Sequence, residues 1–376
     1  MNSVTAPKYI REIKGFYILW FDYTNKYIVV NKEVMTLLNL YLESSNETQF
    51  LRYVSKQTNY SQKDSKQYYF ELAQLLQECS IKSKDKSLVI SKLSHLQNKI
   101  TVFYKINDFI IQINYSSESV KSLLHPQLEH FNYQQSSSTN IIFDIYLEDK
   151  TLNLFKNQQF CGAYPQTDFH LLQGQFAMEL LCMLNNKNEM DWLGTFHAST
   201  ISNGESAIML IGDSGNGKST LAALLMANGF DLIADDFTPM LAKDQNVYSY
   251  PAAISIKQGS FKLLEPLIKG FNKLPTYFIN SKKGYVKYVQ VNKHRNKQSL
   301  SCHKIVYVNY KKDTQTKLTE VSIDKILSVL IPDSWLSPES NNANHFLDWL
   351  EDCSFYELIY SDTKEVITTF QNLFGT

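Results

Sequence analysis

Ala207-Ile208-Met209-Leu210-Ile211 runs directly into Gly212-Asp213-Ser214-Gly215-Asn216-Gly217-Lys218-Ser219, and Leu221, Ala222, Leu224, Leu225 and Met226 follow before Asn228-Gly229. Five consecutive apolar residues closed by a glycine read as a buried strand. The apolar residues beyond Ser219 read as a helix, which stops where Gly229 can adopt the left-handed conformation that follows a helix C-terminus. Between strand and helix stands GxxxxGKS, in the context that pattern needs. Glycines let backbone N–H groups converge on phosphate oxygens, and the helix N-terminus adds partial positive charge. Lys218 reaches the β- and γ-phosphates and Ser219 offers a hydroxyl to Mg²⁺. The expected phosphate- and nucleotide-binding residues are therefore Gly212, Asp213, Ser214, Gly215, Asn216, Gly217, Lys218, Ser219 and Thr220.

Outward from this centre, Asp231-Leu232-Ile233-Ala234 reads as a short strand ending in paired carboxylates, Asp235 and Asp236. Beside such a loop, an acidic residue at the end of a neighbouring strand serves the magnesium shell, and a second can take the proton of an attacking hydroxyl. Solvated turn residues are the alternative, since Asp is common in turns. The position just after the loop's helix favours the functional reading.

The rest of the chain bounds the partners. With 376 residues, two or three domains are expected. Lys plus Arg and Asp plus Glu each number 37, so no overall field draws the chain to nucleic acid or to an anionic membrane. Five scattered cysteines, without a CxxC pair, suit buried thiols in a reducing cytoplasm better than a disulfide framework. No stretch reaches the apolar length of a membrane span and the first residues lack a signal-peptide pattern, so a soluble, cytoplasmic protein is expected. The abundant Tyr and Phe, 23 and 22, read as core. His303 has no ligand partner at metal-site spacing.

Near the start, Phe16 to Trp20 and Tyr27 to Val30 flank a polar turn, which predicts a two-stranded hairpin. Three helices follow. Val34, Leu37, Leu38 and Tyr41 define the first, Phe50, Tyr53 and Val54 the second, and Tyr69, Leu72, Leu75 and Leu76 the third. Ile81 to Ser94 suits a linker, with a boundary near residue 90. Further strands are expected at Ile100 to Tyr104, Phe109 to Ile113 and Ile141 to Leu147, and a buried helix at Leu171 to Leu184. Lys282, Lys283, Lys287, Lys293, His294, Arg295 and Lys297, with Tyr285 and Tyr288 between, read as a solvated basic hairpin; contact with ATP phosphates or an acidic peptide is the other reading. Lys304 to Tyr310 and Phe355 to Tyr360 read as strands, and Ile323 to Ile331, Asn344 to Trp349 and Glu365 to Phe374 as helices.

The hairpin and helices from Phe16 to Cys79, above all Tyr27-Ile28-Val29-Val30-Asn31 running into a helix, resemble the PqqD-like domain that binds leader peptides of ribosomally made precursor peptides. A generic helical cap or dimerisation domain is the alternative. His197-Ala198-Ser199, then GDSGNGKST, then Gly229-Phe230 through Asp235-Asp236 resemble the catalytic domain of HPr kinase/phosphorylase, and more closely its relatives in peptide-modifying gene clusters. The likeness extends to Leu124-His125-Pro126, Leu128-Glu129-His130, Tyr250-Pro251 and Lys257 to Ser260. It implies an α/β P-loop kinase domain of the HPr kinase and phosphoenolpyruvate carboxykinase type over residues 91–376, preceded by a small winged-helix-like α+β domain over residues 1–90. Lys218, His197 and Asp236 become the implied catalytic residues, with Asp236 as general base. Ser219 and Asp235 become the implied metal ligands, and ATP and Mg²⁺ the cofactors. Thr220 departs from the family, which carries Glu after GKS, and the N-terminal region departs from its regulatory domain. An acceptor other than HPr is therefore expected: a Ser or Thr hydroxyl of a precursor peptide. A small hydroxylated metabolite, or a nucleotide-gated peptide chaperone, is the alternative. HPr kinases form closed oligomers, so the likeness also implies a homo-oligomer.

Overall fold

The structure is a computed structural model that describes residues 6–82, 99–134, 138–281, 283–291 and 299–375. The boundary expected near residue 90, most of the expected linker, Ser136-Ser137 and Lys282, Lys293, His294, Arg295 and Lys297 lie outside the described residues. Every other expected strand and helix is present. The described residues form a mixed α/β arrangement with four sheets.

β1 (Tyr9–Ile13), β2 (Phe16–Phe21) and β3 (Lys26–Asn31) form an antiparallel sheet in the order β1-β2-β3. The expected hairpin therefore has a third strand. β1 joins β2 through Lys14-Gly15, with φ of 50° and 84°. Two positive φ values in a two-residue loop follow the right-handed twist of the strands they connect. Gly15 takes that conformation without strain, and Lys14 is held there by its ammonium, which donates to the Cys353 carbonyl at 2.7 Å.

Three helices follow: α1 (Lys32–Leu42), α2 (Glu47–Gln57) and α3 (Gln62–Ser80). Each begins at a side-chain cap that satisfies an orphan backbone N–H. Asn31 accepts from the Val34 N–H, Asn46 from the Gln49 N–H and Ser61 from the Asp64 N–H.

β2 reads FYILWF without alternation because both its faces are buried. Leu19 and Phe21 face the helices, while Ile18 and Trp20 join a core shared with the large body of the protein. Trp20 stacks on Tyr9 at 5.4 Å, and Tyr27 meets Phe346 edge-on at 5.1 Å. Polar contacts ring this junction. Arg11 pairs with Asp348 at 2.7 Å and Glu351 at 2.9 Å, and the Asn25 side chain donates to the Leu336 carbonyl at 2.8 Å.

The next sheet has six strands in the order β6-β4-β5-β7-β8-β9. They are β4 (Ile100–Ile106), β5 (Phe109–Tyr115), β6 (Asn132–Tyr133), β7 (Ile141–Glu148), β8 (Thr151–Lys156) and β9 (Gln159–Pro165). Two short helical turns, α4 (Glu118–Lys121) and α5 (His125–Leu128), lie between β5 and β6, and α6 (Phe169–Asn185) packs against the same sheet.

The largest sheet opens with β10 (Trp192–Phe196), β11 (Ser199–Ser202) and β12 (Ala207–Ile211). Helix α7 (Lys218–Ala227) follows the glycine-rich turn and ends at Asn228, with Gly229 at φ 95°. Then come β13 (Asp231–Ala234), β14 (Thr238–Leu241) and β15 (Asn246–Tyr248). A three-stranded sheet intervenes, built from β16 (Ile254–Lys257), β17 (Tyr277–Asn280) and β18 (Gly284–Val289), with the short α8 (Phe261–Leu264) after β16.

The large sheet resumes with β19 (Ser299–Tyr310), β20 (Lys317–Glu320), β21 (Trp335–Leu336) and β22 (Ser354–Tyr360). α9 (Ile323–Leu330), α10 (Ser340–Glu351) and α11 (Thr363–Gly375) accompany these strands. Its path is β13-β11-β12-β19-β15-β14-β10-β21. Lys304 to Tyr307 of β19 pair with both β12 and β22, so those two strands flank β19 on opposite sides.

All five cysteines are free. Among the described residues no helix is long and apolar enough to cross a membrane.

Trp20 is completely buried between the N-terminal sheet and the body. Its replacement by Ala removes a large side chain from a site that cannot close around the void. The variant is expected to lose about 3–5 kcal/mol of stability, read from the urea midpoint.

Candidate functional site

Strand direction assembles the site. β11 runs antiparallel to β12 and to β13, so β12 and β13 point the same way and finish at one edge of the sheet, where β11 begins. β19 is parallel to β12 and β22 to β19, so both finish at that edge too. The loop after β12, the two aspartates after β13 and the first residue of β11 are thereby gathered in space.

The loop Gly212 to Ser219 wraps the N-terminus of α7. Gly215 and Gly217 have φ of 100° and 89°, a region that costs a side-chain-bearing residue strain. Gly212 is needed for space as well: a Cβ there would stand 2.8 Å from the Val308 carbonyl oxygen. Lys218 is buried at 6% exposure, and its ammonium donates back across the loop to the Gly212 carbonyl at 2.5 Å. Asp213, Ser214 and Gly215 are exposed, so the outer backbone of the loop is open to a ligand. The Asp213 carboxylate turns aside, accepting from the Tyr307 hydroxyl at 2.6 Å and from the Asn216 amide at 3.3 Å. Burial, then that hydrogen bond, pushes the Tyr307 phenol up to about 12. Thr220 shares a 2.6 Å hydrogen bond with Ser260, tying the first turn of α7 to the turn after β16.

Beside the loop, Asp235 is 8% exposed and accepts at one carboxylate oxygen from two hydroxyls. Ser199 donates at 2.5 Å and Ser219, the last residue of the loop, at 3.0 Å. Burial first, and the charge of Asp236 second, raise Asp235 from its ordinary 3.8 to about 7, while the two serines and a backbone hydrogen bond from Ser255 oppose the rise.

The next residue points elsewhere. Asp236 has a φ of 58°, which breaks the strand's alternation and leaves its carboxylate exposed. His197, between β10 and β11, places Nε2 3.8 Å from an Asp236 oxygen, an ion-pair distance when the imidazole is protonated and too long for a hydrogen bond. Its backbone N–H donates to Ser334 at 3.3 Å.

The loop from Gly212 to Thr220, Asp235, Asp236 and His197 thus lie at one edge. Ser199, Ser260 and Tyr307 were not singled out as site residues. Ser199 stands 36 positions from Asp235 and Tyr307 94 from Asp213, and no spacing rule connects residues that only strand order brings together. The Asp235 carboxylate and the Ser199 and Ser219 hydroxyls offer oxygen donors alone, which suits a hard cation such as Mg²⁺. Among the described residues no group of three or more His, Cys, Asp or Glu side chains could hold a metal. A cation here would therefore complete its shell from phosphate oxygens and water, the usual arrangement for Mg²⁺.

No family model matches the chain, and no curated protein does. Among solved structures, the chain is similar to the Hpr(Ser) kinase/phosphatase from Coxiella burnetii at a TM-score of 0.23 and 10% identity, over 47% of this chain and 88% of that one. The functional reading therefore rests on the residues of the site.

A raised Asp235 has a consequence for stability. In the unfolded chain the group ionises near its ordinary 3.8 and in the fold at about 7, so the folded state holds an extra proton between these values. Stability contributed by that proton is complete below the lower value and is lost as pH rises through the upper one. Without metal or nucleotide, Asp235→Asn is expected to gain stability relative to the unmodified protein as pH rises from about 4 to about 7, with no further gain above. Urea midpoints of the two proteins across that range test this; a difference that does not vary with pH would remove the buried-acid account.

Proposed function

We propose that this chain is an ATP- and Mg²⁺-dependent phosphotransferase whose acceptor is a Ser or Thr hydroxyl of a ribosomally made precursor peptide. The observation that carries the reading is the meeting of Ser219, the hydroxyl that closes the phosphate loop, with the buried carboxylate of Asp235, beside an exposed Asp236 and His197. A phosphate loop alone would suit any nucleotide binder. A loop joined to one buried and one exposed carboxylate supplies separate places for a cation and for a proton.

The loop's backbone N–H groups and Lys218 hold the triphosphate, with Lys218 leaving the Gly212 carbonyl to do so. Ser219 and Asp235 would hold Mg²⁺, which supplies charge neutralisation at the phosphate oxygens, and Ser199 keeps Asp235 aimed at that place. The acceptor oxygen forms a bond to the γ-phosphorus while the bond to the bridging β–γ oxygen breaks, ADP leaves, and the acceptor's proton passes to Asp236. An exposed carboxylate suits that last task because its proton must return to solvent. His197 in its protonated form would hold the Asp236 carboxylate in place.

In this proposal the N-terminal sheet with its three capped helices recognises the peptide, in the manner of PqqD-like domains. Binding one segment of the peptide there raises the effective concentration of its acceptor hydroxyl at the loop. The shared core around Trp20 supports this division of labour by holding the two parts in a defined relation.

The test is intact-mass analysis of precursor peptides encoded beside this gene, after incubation with the protein, Mg²⁺ and ATP. A gain of one phosphate per peptide is expected. Lys218→Ala should reduce the rate by about 10²-fold or more and Asp236→Asn by about 10²- to 10⁴-fold. Phosphorylation of a small hydroxylated metabolite with no peptide product would move the acceptor to that class. Bound ATP with no phosphoryl transfer would replace the kinase with a nucleotide-gated chaperone.

A further inference from the structure

The strands around the loop have two different ends. On the β11 and β13 side stand Ser199 and Asp235, and on the β19 and β22 side stand two tyrosines, Tyr310 and Tyr360, each the last residue of its strand. A Cβ placed on Gly217 would lie 3.6 Å from the Tyr310 Cβ and 3.5 Å from the Tyr360 hydroxyl, so both side chains border the loop.

The two differ in exposure. Tyr360 is buried at 3%, and burial lifts its phenol far above the ordinary range. Tyr310 is 49% exposed and meets Tyr360 edge-on at 5.5 Å and 72°. Its backbone is registered against Tyr360, and the next N–H, that of Lys311, donates to the Tyr360 carbonyl at 3.0 Å, which fixes where the side chain starts. Among the described residues the Tyr310 hydroxyl has no hydrogen-bond partner. The ring thus rests on Tyr360 along one edge and is otherwise half bare.

We infer that the base of the bound nucleotide stacks on the exposed face of Tyr310, an assignment that rests on the nucleotide-binding reading of the loop. A triphosphate whose terminal phosphate lies toward Asp235 has its opposite end toward β19, since β12 and its loop stand between the two in the strand order. There the base meets an aromatic face with a π-system of its own kind. Stacking is tolerant of base identity, because every base has such a face. Tyr310 therefore binds ATP and GTP alike and adds affinity for a nucleotide over a bare polyphosphate. The edge-on contact from Tyr360 sets the angle of the platform.

Calorimetric titration of the full chain with MgATP and with magnesium tripolyphosphate separates the base from the phosphates. Tyr310→Ala should weaken ATP binding by roughly ten-fold or more and leave tripolyphosphate unchanged, while Tyr310→Phe keeps both. Tyr310→Leu, which retains apolar bulk without a π face, should behave like the alanine variant and serves if that one is unstable. Unmodified protein that binds tripolyphosphate as tightly as ATP overturns the stacking. So does a Tyr310→Ala loss equal for both ligands, which marks Tyr310 as structural, or a Tyr310→Phe loss as large as that of alanine. If the unmodified protein binds neither ligand, the phosphate-loop reading falls, and the stacking with it.

Discussion

β11 runs against β12 on one side and β13 on the other, and the chemistry of this protein hangs on that pairing. With β11 between them, two strands of equal direction end together, so the glycine-rich loop and a carboxylate from another part of the chain come within hydrogen-bond reach. The buried carboxylate then has to be satisfied, because an unpaired charge in a dry place costs more than a fold of marginal stability can offset. Ser199 and Ser219 provide part of the compensation and the upward shift of Asp235 provides the rest. A cation bound beside Asp235 would be a further way to neutralise the same carboxylate.

The N-terminal part is joined to this edge through solid contacts. Its sheet is covered by helices α1 to α3 on one face and by the core around Phe346 and Trp349 on the other. From the turn before β3, Asn25 donates to the carbonyl of Leu336. Leu336 belongs to β21, which pairs with β10, the strand that leads into His197. Ser334, just before β21, accepts the His197 backbone N–H. Burial of both faces explains why β2 is apolar at every position, and it makes the first residues part of the architecture that carries the site.

Local patterns were legible where the physics is local. Helical spacing from Val34 to Leu76 gave three helices. The apolar run at Ala207 and the glycine at 229 bracketed the loop and its helix. β1 escaped because Ile10 and Ile13, separated by Arg11 and Glu12, give no period-two pattern in a strand of five residues, and its turn depends on Lys14 adopting a left-handed φ that the Cys353 carbonyl stabilises from far along the chain. β6, β8 and β9 were likewise missed: β6 is two residues long, and β8 and β9 carry polar residues within their runs.

Sequence by itself determined a glycine-rich loop between a strand and a helix, because its requirements are met within a dozen neighbouring residues: an apolar strand before it, glycines for φ and a helix start after it. It also determined that two carboxylates follow a short strand. Only the tertiary structure decided what those carboxylates are. The left-handed turn at Asp236 sends one to solvent and leaves the other dry. Strand order places Ser199 on the dry one and lines the opposite flank of the loop with Tyr307, Tyr310 and Tyr360. Burial and strand order are properties of the packed sheet, set by pairings between residues far apart in the chain, and no local spacing encodes them.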